Sequence, residues 1–144
     1  MVAHQHRLSL CYNCYMDPHV TYWLDGAGED LDASRAMLEK KMYLYCGFFC
    51  HLAAEKALKA MVSAQSQTAP PIHNLLRLAE LADMIDIMSE SQLALLEQLN
   101  PLSIEARYPS DKKRIAASLT ADICVKLIAD TENLVLWLRT KLEN

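Results

Sequence analysis

The stretch Met42–Gln65, MYLYCGFFCHLAAEKALKAMVSAQ, decides how the rest of the chain is read. It is long enough for roughly six or seven helical turns at about 3.6 residues each. Met42, Tyr45, Cys46, Phe49, Ala53, Ala57, Ala60 and Ala64 recur at spacings of three and four, which lays down one continuous apolar stripe. His51, Glu55 and Lys59 recur at four and form a second, polar stripe beside it. Glu55 precedes Lys59 by four residues, the favourable order for a helical ion pair. Ala53, Ala54, Ala57 and Ala60 are small enough for a neighbouring helix to approach closely. This pattern predicts the central helix of a bundle, with a polar line of chemistry along one edge.

The bulk of the sequence agrees with that reading. A chain of 144 residues suits one domain that buries a core without staples. Its composition is 52% hydrophobic and 22% charged with three glycines, which points to a helix-rich globule. A formal net charge of −4 argues against a protein dedicated to duplex DNA, whose phosphates call for a basic surface. No apolar run approaches the roughly 18 residues that span a bilayer. The first residues, MVAHQHRLSLCYNCYMD, lack the apolar core of a signal peptide. Five cysteines is an odd count, and Cys46, Cys50 and Cys124 fall in helical patterns, where free Cys behaves as a small buried hydrophobe. A cytoplasmic location is the expectation.

Outward from the central helix, residues 1–18 show no periodicity and read as a poorly packed arm. Within it Cys11 and Cys14, with His4, His6 or His19 nearby, invite a zinc reading. Only one ligand pair has the close spacing a structural zinc site uses in two, so no metal is expected. Residues 19–144 read as the single domain. Val20–Lys40 is helical, and its short connection to the central helix makes the two antiparallel neighbours. Ser66–Pro71 is a loop. A short amphipathic helix follows His73 and Asn74, and Ser89 caps another. Pro109 holds Tyr108 out of helical geometry, and Ser110 is expected to cap one long last helix reaching about Lys141. The predicted fold is therefore all-α, an up-and-down four-helix bundle with one leg split into two short helices.

Three segments carry a family resemblance. Phe49-Cys50-His51 followed by Ala54-Glu55-Lys56-Ala57-Leu58-Lys59-Ala60 resembles the signature helix of HEPN domains (higher eukaryotes and prokaryotes nucleotide-binding). Pro70-Pro71-Ile72-His73-Asn74-Leu75 and Ala106-Arg107-Tyr108-Pro109 match that family in the same order. Where the family often carries Gln before the Ala-Ala-Glu-Lys run, this chain has Leu52. The resemblance implies a helical bundle, binding of a nucleotide or an RNA phosphate, and association with a small nucleotidyltransferase in toxin–antitoxin-like pairs. HEPN ribonucleases carry Arg, four to six residues, then His. Only Arg7 and Arg35 precede a histidine here, neither at that spacing, and no histidine follows His73.

The candidate ligand-binding residues are His51, Lys56, Lys59, His73, Arg107 and Tyr108; no catalytic residue, metal or cofactor is assigned. His51 offers an imidazole that titrates near neutrality, or is a core histidine bonded to a neighbour. Lys56 and Lys59 are compact charges for a phosphate, or solvated surface lysines. His73 opens a helix, where free N–H groups attract anions, or caps it. Arg107 beside Tyr108 suits a phosphate and a base, or an ion pair at the bundle end. Three functions follow: a non-catalytic nucleotide- or RNA-binding domain, an RNA-cleaving enzyme built on His51, His73 and Arg107, or a structural module. A homodimer is expected because the apolar stripes exceed what four helices bury.

Overall fold

The computed structural model describes residues 17–103 and 108–143. The expectations placed on His4, His6, Cys11, Cys14 and Arg107 lie outside the described residues. The described residues form six α-helices and no strand: α1 (Pro18–Glu39), α2 (Tyr43–Ala64), α3 (Leu75–Leu81), α4 (Glu90–Leu99), α5 (Pro109–Ser118) and α6 (Ala121–Glu143). Short 3₁₀ turns at Ile85–Ile87 and Asn100–Leu102 finish the third leg. The predicted bundle is present, with α3 and α4 as the split leg.

Local chemistry sets the helix ends. The Asp17 side chain accepts from the His19 N–H, and Pro18 occupies the first turn, where its missing N–H costs nothing. Ser89 caps α4 as predicted, in a reciprocal capping box with Gln92. The short α1–α2 turn closes when Met42 N–H bonds back to Met37 O and Lys41 N–H to Leu38 O. This is a Schellman ending, and it puts Lys41 in left-handed geometry at φ 59°. Asp83 ends α3 in the same way.

Helix α2 is more deeply buried than its sequence stripe indicates. Cys46, Cys50, Ala53, Ala54, Ala57, Leu58 and Ala60 are all fully enclosed between α1 and α6. Met42 and Tyr45, placed on the apolar stripe, instead stand about two-fifths exposed. The polar stripe is the larger correction. It does not run along an open edge, because His51, Glu55 and Lys59 are 0%, 4% and 5% exposed. Such a charge set is tolerated inside because its members neutralise one another, as the site geometry shows.

The last helix is a second correction. In place of one helix from Ser110, α5 ends at Ser118 and α6 begins at Ala121. Tyr108, not Ser110, is the residue preceding the first turn, with Pro109 inside it. Leu119 turns extended and buries its side chain, and the Thr120 hydroxyl accepts from Ile123 N–H to restart the helix. A Cβ on Gly47 would come within 3.1 Å of Leu119 and 3.2 Å of Leu102, so that glycine makes the seat for both. Cys46, Cys50 and Cys124 are buried free thiols, as expected. The Cys46 thiol is pushed up by its hydrogen bond with Cys50 and by burial, which keeps it neutral.

Candidate functional site

Helical periodicity puts His51, Glu55 and Lys59 on one face of α2, and Glu55 is the centre of what gathers there. Its Oε2 accepts from Lys59 Nζ at 2.9 Å. Its Oε1 accepts from His73 Nδ1 at 3.0 Å and stands 3.6 Å from His51 Nδ1. His51 Nε2 donates to the His73 backbone carbonyl at 3.0 Å. One buried carboxylate therefore bonds Lys59 of its own helix and His73 of the α2–α3 connection, with the His51 ring beside it.

That connection is itself clamped. Asn74 caps α3 by accepting from Arg77 N–H. Asn100, at the end of α4, donates to the Asn74 side chain and accepts from Leu75 N–H at 2.8 Å. The backbone on the C-terminal side of His73 is thus tied to two elements. The imidazole remains half-exposed, at 50% of its side-chain surface, while Glu55 keeps only 6%. With Nδ1–H committed to the carboxylate, Nε2 is the nitrogen left for a ligand.

The six predicted residues separate into groups. His51, Lys59 and His73 meet around Glu55. Lys56 faces the other way, toward α1, where it pairs with Asp30 at 2.9 Å. Its stem crosses Gly26, where a Cβ would lie 2.9 Å from Lys56 Cδ, so the glycine clears the path. Tyr108 is 77% exposed at the start of α5. Arg107 lies outside the described residues, so its approach to the others is not part of the observed geometry.

Glu55 is the residue of this cluster that the candidate ligand-binding set left out. The signal was its spacing of four to both His51 and Lys59, which marks it as the shared partner. Trp23 of α1 was a second omission: Lys59 Nζ stands over its ring, 5.3 Å from the centroid. Nothing in the local sequence ties Trp23 to Lys59. Among the described residues no group of three or more His, Cys, Asp or Glu side chains could hold a metal ion. No described helix is long and apolar enough to cross a membrane. Chemically, the arrangement presents one oriented imidazole, backed by an internally balanced Lys–Glu pair, at the bundle surface.

A family model described as HEPN domain matches residues 20–141. Among solved structures, the chain is similar to TT1696 from Thermus thermophilus, with a TM-score of 0.72 at 25% identity over 85% of this chain and 97% of that one. It also shares its fold with ST0689, an archaeal HEPN homologue, with a TM-score of 0.65 at 17% identity over 85% and 97% of the two chains. No curated protein matches the chain.

Proposed function

The chain belongs to the HEPN domain family, and on that premise we propose that it is a non-catalytic binding module for a nucleotide or an RNA phosphate group. The observation that carries this reading is His73, a half-exposed imidazole fixed through Nδ1 by a buried carboxylate. In this reading His73, Tyr108 and Arg107 touch the ligand. His51 and Lys59 hold His73 in place together with Glu55, while Lys56 pairs with Asp30 on the side facing α1. The outward Nε2 of His73 meets a phosphate oxygen, and Tyr108 offers an exposed ring. The missing Arg–His spacing supports binding without cleavage. Service to a partner nucleotidyltransferase belongs to the same proposal and rests on the family resemblance.

Binding is tested by calorimetry against mononucleotides and short RNA. His73→Ala and Arg107→Ala should each weaken it by about 1.5–3 kcal/mol, the range for a hydrogen bond to a charged group, with helicity unchanged. Equal binding by wild type and both variants would remove the site. One observation favours a second reading: a histidine oriented by a carboxylate is also the pairing used by general bases. RNA cleavage by the wild type that disappears in Glu55→Gln and His73→Ala would establish that reading instead.

A homodimer is the proposed assembly. On α6, Val125, Ala129 and Leu136 lie at helical spacing on one outward face, and Val125 and Leu136 are 55% and 53% exposed. Such a face suits a second copy of the chain.

A further inference from the structure

The polar face of α2 does not stop at Lys59. Ser63 continues it at the same spacing of four, is 8% exposed, and lines an open cleft of about 400 Å³. The cleft is bounded by Asp17, His19 and Trp23 of the first helix region and by Ser66 and Thr68 of the α2–α3 connection. Ser66 sits in left-handed geometry at φ 61°, where it ends α2 and turns the connection over the cleft. Gln65 holds this end in place by donating to Ala82 O at 2.6 Å.

The lining selects a ligand class. Trp23 brings an indole, steadied by Lys59 over its ring and by Tyr22 edge-on at 5.2 Å. Ser63, Ser66 and Thr68 bring hydroxyls that can donate or accept. Among the described residues no Lys or Arg lines the cleft; Asp17 contributes a carboxylate and His19 an imidazole. A phosphate is therefore disfavoured inside it, and a neutral planar group with hydrogen-bonding edges is favoured. The volume falls within the range of small-molecule sites.

Position then links the cleft to His73. The connection whose first residues wall the cleft ends at His73, whose ring is bound to Glu55. Glu55 and Ser63 are eight residues apart on α2, about 12 Å along the axis at 1.5 Å per residue. That separation is of the order of one extended nucleotide. We propose that the cleft at Trp23, Ser63 and Thr68 receives a nucleobase with its ribose, with the phosphate directed toward His73. This inference rests on the nucleotide-binding reading above and adds to it where the base lies.

The test uses the Trp137→Phe background, in which Trp23 is the only tryptophan. Its emission is titrated with the four ribonucleosides, their 5′-monophosphates and a short single-stranded oligoribonucleotide, with calorimetry in parallel. Quenching of Trp23 is expected, with calorimetric affinity about tenfold weaker in Trp23→Leu, as loss of the aromatic stacking face predicts. Thr68→Val, an exposed position whose exchange leaves the core intact, should weaken it too. Quenching by monophosphates identifies a free nucleotide as the source of the base, and quenching by the oligonucleotide alone identifies a strand; both uphold the site. Calorimetric binding that leaves Trp23 emission unchanged and survives both variants would overturn the base site while sparing the nucleotide reading. Absence of binding by every probe would overturn both.

Discussion

Glu55 carries the most consequence of any single side chain. Its side chain is 6% exposed and accepts from Lys59 and His73, so its removal strands a buried ammonium. Glu55→Gln should destabilise the protein by about 3–5 kcal/mol, the cost of breaking a buried pair by removing one partner. Urea denaturation measures this. Adding Lys59→Met to that variant should restore a substantial part of the loss, because the uncompensated charge then disappears as well. No recovery would mean that the Glu55–His73 bond, not the ion pair, dominates the site's contribution. At this scale the spacing of 51, 55 and 59 was legible in the sequence. The contact of Glu55 with His73 was not, because His73 comes from a separate segment eighteen positions on.

Between elements, the Asp30–Lys56 pair joins α1 to α2 across the notch at Gly26. Burial raises the Asp30 carboxyl above its ordinary value of 3.8, against the hydrogen bond and charge of Lys56, which lower it. The sign follows from linkage. Folded Asp30 holds its proton to higher pH than unfolded Asp30, so in that window the folded state binds more protons. Stability from this group is therefore complete below 3.8 and declines as pH rises through the raised value. Asp30→Asn should flatten this part of the profile, gaining on the wild type as pH rises above the ordinary carboxylate range. Melting temperature against pH reads it, and parallel profiles for the two proteins would contradict it.

At the scale of the whole molecule, the outward face of α6 sets the expected assembly. Sedimentation at micromolar concentration should give twice the chain mass of 16.3 kDa. Leu136→Arg should give the monomer with its helicity intact, since the side chain is 53% exposed and its exchange leaves the core unaltered. A wild type that sediments at the monomer mass would remove the dimer. One copy alone supplies every contact described around Glu55, so this assembly and the binding site can be tested separately.

By itself the sequence determined the all-α class, the central helix, the split third leg with its Ser89 cap and the buried cysteines. Each of those follows from periodicity and capping chemistry acting within a few residues. The break at Leu119–Thr120 was not legible there, because no Gly or Pro marks it. It exists because Leu119 has a seat against Gly47, more than seventy positions earlier in the chain. The depth of the polar stripe was likewise decided only by tertiary structure. Helical spacing shows which residues share a face, but not whether that face meets water or another element. Trp23 and His73 close over it from distant segments, and their partners make burial of its charges tolerable.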